Sequence, residues 1–288
     1  MLQGWLICKN PKEWHIQKLL LAHKGFNLNL KIINSNKISF SARGDFYIKK
    51  TQIALPDFAI YRQTSKSNYS GTALARQLEL LNIPVFNKFH CYEIADDKFY
   101  VHQLLEKHKI PTPLTYINSE SPKEKMFPLI MKYNFGSLGL EVSLLQNSYS
   151  WNLFKRKFKD IITQEYIADS KGKDIRVFVI GGKAIFSVER KTNNPEEFRS
   201  NVRLGGDVRV VETNSKIQEI VEEIQKIFDC PPDFFGIDLL YYKDSYLVSE
   251  INTNFHWGPH GNITCKKTCK KLNELPFIII KHILKELR

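Results

Sequence analysis

The sequence predicts a mixed α/β protein. Three features carry that prediction: apolar runs alternating with amphipathic stretches through the first third, a Gly-Gly pair at Gly181 and Gly182 between two strand-like runs, and a carboxylate-rich hairpin over 234–252. Apolar runs at 4–8, 28–33, 58–61 and 84–87 read as strands, while 11–23 and 71–81 have helical spacing. That rhythm is the signature of a parallel layer with crossover helices. A second unit opens near Cys91, with a helix over 98–108 that Pro111 and Pro113 end, then strands at 129–133, 140–145 and 161–166. A third unit holds the Gly181 hairpin, a polar segment at 193–206, a helix over 215–228 and the second hairpin. The expected division is therefore 1–90, 91–167 and 168–288, with no internal repeat.

Composition narrows the class further. With 288 residues, 43% of them hydrophobic, the chain buries a sizeable core. No run of eighteen apolar residues is present, and Lys9 interrupts the N-terminus after too short an apolar run for a signal peptide, so a soluble, cytoplasmic protein without membrane association is expected. The five cysteines are an odd number, and Cys265 and Cys269 have no second metal-ligating pair at zinc-like spacing, which favours free thiols in a reducing compartment. A formal net charge of +12 points to an acidic partner. The only dense basic run, Lys266, Lys267, Lys270 and Lys271, lacks interleaved aromatics, so nucleic acid is not the expected one.

Spacing alone places the residues of the second hairpin. If its turn is centred on Asp244, residues whose numbers sum to 488 face each other: Asp238 lies opposite Glu250 and Leu240 opposite Val248, with Asn252 on the face of Glu250. Opposed carboxylates repel, and Ile237, Leu239, Leu247, Val248 and Ile251 are too apolar for a solvated surface, so a cation is expected between them. Magnesium suits three oxygen donors. A Lys or Arg partner, or one raised pKa, suits the two carboxylates equally.

Groups able to neutralise phosphate lie upstream. Lys132 ends a strand and leads into Asn134, Phe135, Gly136, Ser137, Leu138 and Gly139, a short Gly-containing loop. Lys98 follows Asp96 and Asp97 at a helix start, and Arg199, Ser200 and Asn201 lie in the polar segment, where Arg can grip phosphate oxygens in bidentate fashion. In the Gly181 hairpin, facing residues sum to 363, setting Asp174 opposite Glu189 and Arg176 opposite Ser187, with Ile175, Val177, Val179, Ala184, Phe186 and Val188 on a common apolar face.

Taken in order, the Lys98 segment and the segments 129–132, 164–167, 173–179, 198–201, 236–239 and 250–252 resemble the RimK-like ATP-grasp ligases, including the LysX type that joins amino acids to a carrier protein. The resemblance covers the chain from about Phe58 to Asn252. It implies an ATP-grasp fold of three subdomains, two of which hold ATP between them, and a ligase that joins a carboxylate to an amine through an acyl phosphate, releasing ADP and phosphate. It implies that Lys98 and Lys132 contact ATP phosphates, with Gly136 and Ser137 in the loop over them; that Gln164, Glu165, Tyr166 and Ile167 read adenine; and that Asp174 binds near the ribose. Arg199 and Asn201 would touch the γ-phosphate or acyl phosphate, and Asp238, Glu250 and Asn252 would hold magnesium, with manganese as the substitute ion. A homo-oligomer is expected.

The chain departs from the RimK pattern in three places. Leu204 precedes Gly205 where family members carry Arg, so the acyl-phosphate contact is expected from Arg203, one place earlier; Glu141 replaces a third Gly of the loop; and 253–260 replaces small residues and a Pro-Gly pair. That last stretch borders the acceptor site in the family. Arg62, Arg176, Phe255, His256 and Trp257 are accordingly the expected substrate contacts, with His256 a candidate to deprotonate the amine and a packing role for Phe255 and Trp257 as the alternative. The donor is a small carboxylate and the acceptor an amine, a peptide or a carrier protein. The rival classes are a basic binding module that has lost catalysis and an ATP-grasp phosphotransferase that stops after phosphorylation.

Overall fold

The computed structural model describes residues 1–63, 69–117, 122–135, 142–157, 160–200, 206–258 and 266–288. It opens on a fully parallel sheet of order β2-β1-β6-β7, built from β1 (Leu2–Cys8), β2 (Leu28–Asn34), β6 (Phe58–Arg62) and β7 (Val85–Phe86). Helices α1 (Trp14–Ala22) and α2 (Tyr69–Leu80) lie between its strands in sequence, as parallel pairing requires. Between β2 and β6 the chain inserts a small antiparallel meander, β3 (Ile38–Phe40), β4 (Phe46–Ile48) and β5 (Thr51–Gln52). Its Phe46 is buried edge-to-face against Trp5, 5.4 Å between centroids.

Two helices, α3 (Phe89–Asp96) and α4 (Lys98–Lys107), lead into an antiparallel sheet of order β10-β9-β11-β8, from β8 (Thr115–Ile117), β9 (Leu129–Tyr133), β10 (Val142–Leu145) and β11 (Ile161–Glu165). The helix α5 (Ser148–Lys157) packs Trp151 against Leu129, Met131, Leu145 and Ile161. The last sheet, order β14-β13-β12-β15-β16, is antiparallel and comprises β12 (Lys173–Ile180), β13 (Lys183–Lys191), β14 (Asp207–Val211), β15 (Phe234–Tyr242) and β16 (Ser245–Asn252).

Both faces of that last sheet are covered. On one, Ile175, Val177, Val179, Phe235 and Ile237 meet Ile217, Ile220, Val221 and Ile224 of α6 (Ser215–Gln225), whose start is capped by the Asn214 side chain accepting from the Ile217 N–H at 3.1 Å. On the other, Phe178, Phe186 and Val188 join Leu6, Phe58 and Ile60 of the parallel sheet and Leu272, Leu275, Ile279 and Ile283 of α7 (Lys266–Glu286). The 3-4-4 spacing of these α7 residues makes the apolar stripe that fills this gap.

Both hairpin registers differ in part from the expected ones, the first through a bulge and the second through the position of its turn. At the first, Gly181 and Gly182 form the turn with φ of +55° and +74°, a conformation that favours glycine, and a Cβ on Gly182 would lie 2.2 Å from Gln225 Oε1. The sum of 363 holds only for Val179 with Ala184 and Ile180 with Lys183; a register shift past Phe178 then pairs Asp174 with Arg190, not Glu189, and Arg176 with Val188, not Ser187. Phe186 and Val188 consequently share a face with Arg176 rather than with Ile175. At the second hairpin the turn is Lys243 and Asp244, so Val248 pairs with Leu239 and not Leu240, and Ser249, the extra residue of a bulge, then shifts the register so that Asp238 does face Glu250.

Candidate active site

Three adjacent strands place Arg176 of β12, Asp238 of β15 and Glu250 of β16 in one row, each directly opposite the next. The chain itself supplies cations for the two carboxylates. Arg176 donates from Nε and an Nη to the two oxygens of Asp238, at 2.7 and 2.6 Å. Arg190 bonds Asp174 in the same bidentate way and reaches Asp238 at 3.0 Å, while Lys98 Nζ meets Glu250 at 2.8 Å. The Asn252 amide lies 3.4 Å from Asp238.

Burial works against charge on Asp238, but Arg176 and Arg190 outweigh it and hold the carboxyl far below its usual range. Burial likewise opposes charge on Glu250, and Lys98 outweighs it. The opposite balance holds at Lys132, where burial pushes the ammonium down to about 8 although Glu250 attracts it. The bulge aims Ser249 Oγ at Lys132, 3.3 Å away. Lys98, Lys132, Arg176 and Arg190 thus stand against Asp174, Asp238 and Glu250, four cations to three carboxylates, a balance that favours an incoming anion. Two carboxylates and an amide from the paired strands β15 and β16 also form the oxygen-rich donor set that a hard divalent ion takes.

A shared clamp fixes the two lysines relative to each other. Asn134, two residues past Lys132, accepts from the Phe99 N–H at 2.7 Å and donates to Asp97 at 2.9 Å, and Asp97 caps α4 by accepting from the Tyr100 N–H at 3.0 Å. Behind them, His102 is buried between Thr112 (2.6 Å from Nδ1) and Gln164 (2.6 Å from Nε2). Thr112 donates its own proton to the Val248 carbonyl, so it accepts from His102 Nδ1–H, and Nε2 accepts from Gln164. Burial, reinforced by Lys132 and Lys98, holds His102 down to about 3, in keeping with that neutral tautomer.

The structure therefore brings together Lys98, Lys132, Asp174, Arg176, Asp238, Glu250 and Asn252, and sets buried Gln164 behind them. Glu165 ends β11, and Tyr166 and Ile167 run on from it towards β12. Arg199 is gripped by Glu197 through Nε and an Nη, both at 2.8 Å. Phe255 and Trp257 are core residues, each 2% exposed, and Arg62 is a buried strut that donates to the Phe255 carbonyl with its guanidinium 5.0 Å from the Trp257 ring. Packing accounts for all three. Gly136, Ser137, Asn201 and Arg203 lie outside the described residues. Arg190, Ser249, Asn134 and His102 complete the cluster without any motif of their own. Only the helix-start pattern of Asp97 hints at the clamp.

A solved structure of the ATP-grasp ligase PsnB complexed with minimal precursor, Mg and ADP is similar over 97% of both chains, with a TM-score of 0.69 and 14% identity. The fold is the ATP-grasp fold. The RimK-like ATP-grasp domain family matches residues 95–262. A probable alpha-L-glutamate ligase of Legionella pneumophila is 32% identical over 264 residues, 86% of either chain. Another of the same name, from Shewanella pealeana, is 30% identical over 209 residues, 69% of this chain. This chain belongs to the RimK-like ATP-grasp family. The match spans only 45% of the Shewanella protein's length.

Proposed function

We propose that the chain is an ATP-dependent ligase that joins a carboxylate to an amine through an acyl phosphate, with ATP and magnesium as cofactors. The observation that carries this is the row Arg176, Asp238 and Glu250 with Lys98, Lys132 and Arg190 around it, a cation-rich, partly buried cluster rather than a nucleophile with a base. The three-unit division at 1–90, 91–167 and 168–288 is part of the proposal, supported by the three main sheets.

In this scheme a donor carboxylate oxygen attacks the γ-phosphorus of ATP, forming a new O–P bond as the bond to ADP breaks. Lys98 and Lys132 turn from their present partners to phosphate oxygens and offset the charge that gathers there. Asp238, Glu250 and Asn252 would hold magnesium, which supplies further positive charge against the phosphates when bound. The amine then attacks the acyl carbon, and phosphate leaves. Arg190 ties Asp174 to Asp238 and keeps the strands that carry them in register. Arg199, beside Glu197, is the candidate cation of the polar segment for the transferred phosphoryl group.

The relatives' name makes glutamate the first substrate to try, as carboxylate or as amine, and the PsnB complex makes a peptide the first partner to try with it. The test incubates the chain with ATP, magnesium, glutamate and pools of amines and peptides, following ADP release and product mass. The expected result is amine-dependent ADP release with a product one water lighter than its two parts. ADP release that ignores the amine, or a phosphorylated end product, would refute the ligase.

A further inference from the structure

Away from the carboxylate row, a second cluster of ligating side chains sits where α1 meets the segment after β16. Glu13 occupies the position before the first turn of α1, His15 lies in that turn, and His256 lies four residues past Asn252. One oxygen, Glu13 Oε2, lies 3.4 Å from His15 Nε2 and 3.7 Å from His256 Nδ1, and the three donor atoms all lie within 4.8 Å of one another. The two imidazoles stand edge to face, 4.6 Å between centroids at 89°.

We propose that Glu13, His15 and His256 form a binding site for a divalent transition-metal ion, zinc by its ligand chemistry, joining α1 to the 253–258 segment. Two imidazole nitrogens and a carboxylate oxygen are the ligands zinc takes in three-ligand sites with an open fourth position, whereas magnesium takes oxygen ligands. In a tetrahedral zinc site, neighbouring ligand atoms stand about 3.3 Å apart, given metal–ligand bonds of about 2.0–2.1 Å. The 3.4 Å pair already has that spacing, the 3.7 Å pair needs a small side-chain turn, and the two histidine nitrogens, within 4.8 Å of each other, reach it by rotation of the part-exposed His256.

The ligands are also held from behind. Phe255 and Trp257 on either side of His256 are buried in the core, Arg62 bonds the Phe255 carbonyl, and the His15 ring is 3% exposed against Trp257. Glu13 and His256 keep side-chain exposures of 37% and 30%, which leaves a way in for the ion and for a water at the fourth position.

The test strips the full-length protein with a chelator, holds it in excess magnesium so that oxygen-rich sites are filled, and titrates it with cobalt(II) by visible absorption and with zinc by competition against a chromophoric chelator. One ion per chain is expected, with affinity at least about tenfold weaker in Glu13→Gln and in His256→Asn, and a zinc-dependent rise in the unfolding midpoint that both variants lose. Those two positions are part-exposed, so both variants should fold; circular dichroism of the metal-free forms checks this. No bound ion, or unchanged affinity in both variants, would overturn the site and would point to a metal-free ion pair or to the thiols. The readout is binding, so it stands or falls separately from the ligase reaction.

Discussion

Arg176 holds Asp238 through two hydrogen bonds, 2.7 and 2.6 Å long, from the position directly opposite it on the next strand. Asp238 is thus a structural partner as well as a candidate metal ligand. Asp238→Asn should leave two guanidinium groups facing a neutral amide and cost about 3–5 kcal/mol of stability. Glu250→Gln, at a carboxylate 30% exposed against 8% for Asp238 and bonded to the single cation Lys98, should destabilise much less while lowering turnover at least about 100-fold. Denaturant unfolding of both variants beside their ADP-release rates checks this. Equal stability losses would show that the guanidinium pair does not set Asp238 apart.

Lys132 makes a pH-dependent prediction. Its buried ammonium titrates near 8, and a bound phosphate would raise that value by favouring the charged form. Nucleotide binding at pH 8 should therefore take up about half a proton, and affinity should fall as pH rises further. Calorimetry in two buffers of different ionisation enthalpy measures the uptake. Lys132→Arg, charged throughout, should lose it; an uptake unchanged in the variant would assign the proton elsewhere.

His102 should leave its mark on stability in acid. Folded, it resists protonation down to about 3, while the unfolded chain takes up that proton near 6.5, so in between the unfolded state binds more protons and stability falls as pH is lowered. The contribution is at most about 1.4 kcal/mol per pH unit. It should be visible between about pH 6 and 4.5, above the range where Asp238 begins to matter. His102→Asn should be less stable at neutral pH yet show a shallower decline across that window. Parallel declines in urea-midpoint series would contradict the buried neutral tautomer.

How much of this was legible in the sequence depended on turn centres and bulges, which spacing does not reveal. Asp238 and Glu250 face each other as expected because two offsets cancel: the turn lies at Lys243 and Asp244, half a residue before the expected centre, and the bulge at Ser249 shifts the register back by one residue. The same reasoning failed at Asp174, where one bulge past Phe178 replaced Glu189 by Arg190 as its partner and hid the cation that links Asp174 to Asp238. Spacing also could not show which cations would answer the carboxylates, since Lys98 and Lys132 arrive from other elements through the Asn134 clamp. Phe255 and Trp257 illustrate a further limit: an aromatic run has the same pattern whether it lines a pocket or, as here, fills the core beside α7.

The acyl phosphate is most directly tested by following oxygen. With a donor whose carboxylate carries heavy oxygen in both positions, together with ATP, magnesium and the amine found to be accepted, each turnover should deliver one labelled oxygen to inorganic phosphate and leave one in the amide product, read by mass spectrometry of both. Phosphate released without label, alongside ADP, would mean that water and not the carboxylate attacks ATP, and the cluster around Asp238 and Glu250 would then serve hydrolysis rather than ligation.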